Sequence, residues 1–242
     1  MIKLENVVLA SPEQMEFIIQ GMRNPMNSWE KSDSGRGCDD NLCGSHCAFS
    51  SQWCGNTPKY VVGDNDHSLM QRLAKAGTDH RKFMRMLPVY VRITAPLYWW
   101  KEFDTYKVGT VANSCITMHK IAEKEFTLDD FSYEHLLCGG MLNDVPNNDG
   151  KWVRFNGSDC LKNTIYMLNK ARELYLQTKD KRFWWQMIQL LPSSYNQTRN
   201  VMMNYEVLAN IYKSRKDQWR DFCKWIESLP YSELITGEEI HE

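Results

Sequence analysis

The 242-residue chain has no run approaching the ~18 consecutive apolar residues that a membrane-spanning helix requires. Its most apolar window, Ile93 to Trp100, is closed off by Arg92 and Lys101. The opening Met1-Ile2-Lys3-Leu4-Glu5 brings in charge too early for a secretory h-region, so a cytoplasmic location is expected, with no membrane partner. Charge of one sign is also lacking: Lys+Arg 29 stand against Asp+Glu 30, a formal net charge of -1. That balance argues against a polymeric nucleic-acid partner, which calls for a basic excess, and still leaves room for a local basic pocket around one phosphate. There is no internal repeat and no low-complexity linker. A Ser-His-Asp or HExxH pattern is absent as well. A single α+β domain is the economical expectation.

What is present is ordinary globular composition, 43% hydrophobic and 24% charged, together with two unusual entries: nine Trp within an aromatic fraction of 12%, and eight Cys. In a reducing compartment eight Cys do not read as four disulfides. Cys38, Cys43, Cys47 and Cys54 crowd, with His46, into seventeen residues of a Gly/Ser/Asn/Asp-rich stretch, about residues 31–60. They supply enough ligands for one tetrahedral zinc, although C-x4-C-x3-C-x6-C is no common zinc-ribbon spacing. Free thiols and a disulfide stay open beside zinc. The four scattered Cys are expected to be buried.

Residues 2 to 9 read as a strand. Ser11-Pro12-Glu13-Gln14 opens a helix to about Met22, with Ser11 as N-cap, Pro12 in the first helical position and Gln14 closing a capping box. After a long loop over 23–66, a helix is expected from Asp66 to Ala76 with Leu69 and Leu73 on one face and Gly77 as its stop. Val89, Val91 and Ile93 alternate with Tyr90, Arg92 and Thr94, the period of a half-buried strand. Pro96 then starts a helix carrying Tyr98, Trp99, Trp100 and Phe103. A polar stretch over 107–114 precedes a short helix around Met118 to Lys124, and Thr127 caps another to about Leu137. Residues 143 to 157 read as a turn-rich loop. The last third reads as helices over roughly 159–178, 181–190, 197–214 and 217–228. In each of the pairs Trp99-Trp100 and Trp184-Trp185, one ring is expected in the core and the other at a subunit contact.

Ile93-Thr94-Ala95-Pro96-Leu97-Tyr98-Trp99-Trp100-Lys101-Glu102-Phe103 resembles the strand-to-helix junction of flavin-dependent thymidylate synthases (ThyX). In order and spacing the resemblance covers about residues 66 to 215. His80 falls close to a family histidine near the flavin. Leu191-Pro192 resembles the family's Leu-Pro, Asn204 matches a family asparagine, and Arg215 matches the arginine that contacts the pyrimidine nucleotide. Arg199 lies within one position of a second substrate-binding arginine.

The resemblance implies an α+β fold, mixed helices on a small antiparallel sheet with the Cys-rich insertion near the N-terminus. It implies FAD as cofactor, NADPH and methylenetetrahydrofolate as co-substrates, one-carbon transfer to C5 of a pyrimidine monophosphate such as dUMP, and a homotetramer. Arg215, Arg199, Asn204, Thr110 and Cys115 would face the nucleotide; His80, Tyr106 and Lys107 would face the flavin. The family signature is altered: Thr105-Tyr106-Lys107 stands for Arg-His-Arg, Thr110 and Cys115 for its two serines, and Thr117-Met118 for Arg-Tyr. Glu102 replaces a glutamine. Lysine does not reproduce the guanidinium fork, so a nucleotide-binding protein without catalysis is the alternative reading.

Overall fold

The computed structural model describes residues 2–37, 59–115, 120–137, 144–146, 149–154 and 156–237. Cys38, Cys43, His46, Cys47, Cys54, Thr117 and Met118 lie outside the described residues. No helix among those described is long and apolar enough to cross a membrane. The fold is α+β.

The elements run β1 (Lys3–Leu9), α1 (Pro12–Arg23), β2 (Gly35–Gly37), β3 (Lys59–Val61), α2 (Asp64–Lys75), α3 (Lys82–Met86), β4 (Pro88–Pro96), α4 (Leu97–Phe103), β5 (Val111–Ser114), β6 (Asp144–Pro146), β7 (Trp152–Arg154), α5 (Gly157–Thr178), α6 (Lys181–Leu190), β8 (Asn196–Asn204), α7 (Tyr205–Arg215), α8 (Arg220–Glu227) and α9 (Glu233–Thr236). The main sheet has the order β1-β4-β8-β5, with two-stranded ribbons β2-β3 and β6-β7. β4 and β8 are antiparallel: Leu97 N–H donates to the Tyr195 carbonyl at 3.0 Å, whereas Tyr205 N–H donates to the Leu87 carbonyl at 3.2 Å, so one strand advances as the other recedes.

Local signals fix several elements. α1 begins with the full capping box: Gln14 N–H donates to Ser11 Oγ and Ser11 N–H donates to Gln14 Oε1. Val89, Val91, Ile93 and Ala95 of β4 are buried while Tyr90 and Arg92 are exposed, which is the alternation expected of it. Asp180 caps α6 through the N–H of Arg182, and α6 has the bounds read from the sequence.

Other expectations are corrected. The supposed helix over 197–214 is strand β8 followed by α7, because residues 196–204 lie inside the sheet between β4 and β5. Thr127 does form a capping box, but onto one 3-10 turn, Leu128–Asp130, because Phe131 then bridges Tyr195 in the antiparallel sense. The loop over 143–157 contains the ribbon β6-β7, paired Asp144 to Arg154 through Pro146 to Trp152. The polar stretch 107–114 ends as β5. Of the helix expected over Met118 to Lys124, residues 121–124 are turn and bend, and 118–119 lie outside the described residues. α2 starts at Asp64, two residues before the expected Asp66, which is fully buried.

The chain forms two compact units. In the first (1–4, 93–105 and 113–199), Leu161, Leu168 and Ala171 of α5 and Met187 of α6 pack with Phe126 and Phe131. Trp184 packs against this core while Trp185 is exposed. Trp99 and Trp100 are both buried, so for that pair a division between core and subunit contact fails. In the second unit (5–92, 106–112 and 200–242), Phe222, Cys223 and Ile226 of α8 and Leu208 and Ile211 of α7 are buried with Ile18, Ile19, Met70 and Met84. Of the four scattered Cys, Cys223 is buried but Cys115 and Cys160 are exposed, contrary to the expectation for them, and Cys138 lies outside the described residues. Burial pushes the Cys223 thiol up to about 11, which keeps it protonated and inert.

Candidate functional site

Asn204 closes β8, and its Oδ1 accepts the N–H of Val207 at 3.0 Å, so it is the N-cap of α7. The segment 106–110 lies along this helix. Gly109, at φ +80, approaches Asn204 so closely that a Cβ there would meet Nδ2 at 2.9 Å; only glycine serves at this contact. At the other end of α7, Arg215 Nε donates to Tyr106 Oη at 3.1 Å and Nη1 to Gln218 Oε1 at 2.7 Å. Its guanidinium lies 5.2 Å above the Trp219 ring, against which Tyr106 packs edge-on. Thr110 Oγ1 is buried with no hydrogen-bond partner among the described residues, a costly state unless a ligand supplies one. Tyr106, Thr110, Asn204 and Arg215 are therefore brought together on α7, with exposed Lys107 on the same segment.

α7 also lines a cleft of about 390 Å³, whose charged side chains are Lys75, Arg81, Lys213, Lys216 and one carboxylate, Glu233. Lys75, Lys213 and Lys216 lie at the C-terminal ends of α2 and α7, where cations complement the helix dipole. Arg81 is the N-cap residue of α3, where its charge opposes the helix dipole rather than complementing it. Its Nε donates to Glu206 Oε1 at 3.1 Å and its Nη2 to Asn210 Oδ1 at 3.3 Å, and Arg85 grips the same Glu206. Burial works to raise the Glu206 pKa, but hydrogen bonds from Arg85 and Arg81 outweigh it and hold the carboxyl below its ordinary value. Glu233 is buried and accepts from His67 Nε2 at 2.5 Å. The cleft thus concentrates positive charge on a chain that is nearly neutral overall.

Sequence reasoning missed these four cations. The three-residue spacing of Lys213 and Lys216 was the only local signal, and a solvated helix face carries the same one. His80 sits in the preceding turn, its N–H donating to the Gly77 carbonyl at 3.1 Å, with its side chain exposed and outside the cleft lining.

Arg199 and Cys115 belong to the first unit. Arg199 Nη1 donates to Asp104 Oδ1 at 2.7 Å, Nε donates to Gln197 Oε1 at 2.9 Å, and the guanidinium lies 4.2 Å over Trp100. Arg199 stands on strand β8, not on a helix. Cys115 follows β5, its N–H donating to the Thr198 carbonyl at 3.0 Å. Among the described residues no cluster of His, Cys, Asp and Glu could hold a metal ion.

This arrangement of helices and sheet is the fold of flavin-dependent thymidylate synthases. Thymidylate Synthase X (ThyX) from Helicobacter pylori, crystallised with FAD and dUMP, is similar with a TM-score of 0.57 and 14% sequence identity over 98% of this chain and 96% of that one. A second H. pylori ThyX complex with FAD and dUMP gives the same TM-score and identity, over 98% and 97%. A UMP/dUMP methylase, PolB from Streptomyces cacaoi bound with 5-Br dUMP, gives a TM-score of 0.48 at 12% identity over 98% and 94%. No family model and no curated protein matches the sequence.

Proposed function

We propose that this chain is a divergent ThyX-like protein that binds FAD and a pyrimidine (deoxy)nucleotide and transfers a one-carbon unit from methylenetetrahydrofolate to the pyrimidine C5, with NADPH as reductant. The observation that carries the reading is the cationic cleft lined by Lys75, Arg81, Lys213 and Lys216, within a chain of ThyX fold. Lys75, Arg81, Lys213 and Lys216 fit the phosphates of a flavin nucleotide, with His80, Tyr106 and Lys107 toward its ring. Arg215, Asn204 and Thr110 are assigned to the pyrimidine nucleotide, and the partnerless Thr110 hydroxyl fits a ligand oxygen. Arg199 and Cys115 complete that assignment by resemblance, as does assembly into a homo-oligomer. When bound, the flavin supplies the redox chemistry; the chain binds and orients.

The test is reconstitution with FAD followed by its absorption and fluorescence. Replacing Lys75 and Lys213 together by Glu reverses two exposed charges of the cleft and is expected to weaken FAD binding at least about tenfold, with greater sensitivity to salt. Unchanged affinity refutes the cleft assignment. For the nucleotide, Arg215→Ala is expected to weaken dUMP binding about tenfold or more, since a charge-assisted contact contributes about 1.5–3 kcal/mol. Equal affinities by calorimetry refute that role.

A second reading, nucleotide binding without turnover, has a specific observation in its favour. The Tyr106 hydroxyl accepts from Arg215, and by the resemblance Thr105 and Lys107 take the places of the family's two arginines, with Tyr106 in place of its histidine. Fixing dUMP with no dTMP formed in the presence of FAD, NADPH and methylenetetrahydrofolate selects this reading.

A further inference from the structure

A buried carboxylate stands behind the wall of the cationic cleft. Glu206, in the first turn of α7, is 8% exposed and is not among the lining residues, whereas Arg81 and Asn210 are. This one carboxylate serves two guanidiniums. Arg81 Nε donates to Oε1 at 3.1 Å, and Arg85 donates to Oε2 through Nε and to Oε1 through Nη2. Asp79 adds a negative field at Arg85, so two guanidiniums face two carboxylates. The cluster is balanced in charge, and what it gives Arg81 is direction.

The other contacts of Arg81 act to the same end. Its backbone N–H donates to the Gly77 carbonyl at 3.1 Å, its carbonyl accepts from the Met84 N–H at 3.0 Å, and its Nη2 donates to Asn210 Oδ1 at 3.3 Å. Backbone, Nε edge and one Nη2 hydrogen are thus fixed by described residues. Of the five N–H donors of a guanidinium, three remain, two on Nη1 and one on Nη2, on a side chain that lines the cleft. A planar fork of this kind matches two oxygens of one phosphoryl group, which an ammonium point charge does not. Holding the fork in place beforehand also spares the ordering cost of binding.

We propose that Glu206, with Asn210, is a positioning residue that aims the Arg81 fork at a phosphoryl group in the cleft, and that Arg81 takes this group through two parallel hydrogen bonds. This role rests on the phosphate assignment of the cleft made above, and on none of its lysines.

The test uses the full chain with two probes, FAD followed by its fluorescence and inorganic pyrophosphate followed by calorimetry. Arg81→Ala is expected to weaken both about tenfold or more, and Arg81→Lys, which keeps the charge and loses the fork, to recover little of that. Glu206→Gln gives the decisive sign. Removing a negative charge beside the cleft strengthens anion binding by Coulomb's law alone, whereas loss of Arg81's aim weakens it. A weakening of about fivefold for both probes is expected. In an Arg81→Ala background the same substitution is expected to cause no further weakening, because its effect passes through Arg81. Asn210→Ala, at an exposed position, is expected to weaken both probes about twofold, and it carries the test should Glu206→Gln not fold.

Folded Glu206→Gln that binds at wild-type strength or tighter overturns the positioning role, as do losses that add in the double variant or an Asn210→Ala variant of unchanged affinity. Arg81→Lys at wild-type strength overturns the two-bond grip. Wild type that binds pyrophosphate with the expected coupling but not FAD removes the flavin reading and leaves this one standing. FAD binding that Glu206→Gln leaves unaltered does the reverse, and binding of neither probe removes both.

Discussion

Asp66→Ala is expected to lower the unfolding free energy by about 3–5 kcal/mol, read as a lower denaturant midpoint at unchanged slope. Asp66 has no solvent exposure, and both its oxygens are occupied. Oδ1 accepts from Arg23 Nε at 2.5 Å; Oδ2 accepts from Ser32 Oγ and Ser34 Oγ, each at 2.6 Å, and from the N–H groups of Asp33 and Ser34. Removing the carboxylate leaves Arg23, itself 4% exposed, as a buried charge without its counter-ion. That uncompensated charge dominates the expected loss. Asp66→Asn keeps the volume but still removes the charge, so it is expected to recover only part of it.

The same group gives a pH dependence with a definite sign. Burial pushes the Asp66 pKa up, but hydrogen bonds from Ser32, Ser34 and Arg23, with the Arg23 charge, outweigh burial and hold it below its ordinary value. A folded pKa below the unfolded one means stability present above about pH 4 and lost as pH falls through the folded value. Acid titration of the wild type against Asp66→Asn checks it: the wild type is expected to lose its advantage below pH ~4, and parallel curves would count against the assignment.

Asp66 also shows where sequence reading stops. The sequence places the start of α2 at Asp66, yet α2 begins at Asp64, and the side chain that serves its first turn is Asp33, which accepts from the N–H groups of Asn65 and Asp66. No local pattern reveals that a residue 33 positions upstream does this. Elements with short-range determinants were legible: the Ser11 box, the alternation of β4, and α6 behind Asp180. β8 was not. Its residues Val201, Met202 and Met203 suit either period, and the reading overlooked Asn204 as an N-cap, which would have split strand from helix. The decisive term is burial inside a sheet, a tertiary effect that propensity does not carry.

The candidate site divides in the same way. Tyr106, Thr110, Asn204 and Arg215 were named from the resemblance, and the structure gathers them along one helix. Lys75, Arg81, Lys213 and Lys216 come from a helix end, a turn and a second helix end, so their shared cleft exists only once the chain is folded. Near-neutral net charge therefore says little about local potential. Glu206 shows how finely that potential is balanced, since it engages Arg81 inside the cleft and Arg85 beside it.

In the first unit, Trp100→Ala is expected to cost about 3–5 kcal/mol, the range for emptying a buried aromatic site. Trp100 is 1% exposed, packed edge-on against Trp99 and Phe103, and its Nε1–H donates to the Gln197 carbonyl at 2.9 Å. The loss has three parts: apolar contact, the cavity left behind, and a carbonyl without its donor. Trp100→Phe keeps most of the first and is expected to recover more than half of the cost. The substitution also acts on Arg199, whose guanidinium lies 4.2 Å over the indole and is bonded to Asp104 and Gln197. Removing the ring takes away one wall of that guanidinium's seat and leaves both hydrogen bonds. Comparison with Arg199→Ala then separates two roles. If Arg199 holds the nucleotide, Arg199→Ala weakens dUMP binding while Trp100 keeps the unit folded. If it only braces Trp100, Arg199→Ala costs about 1 kcal/mol of stability, the scale of a cation–π contact, and leaves dUMP affinity unchanged.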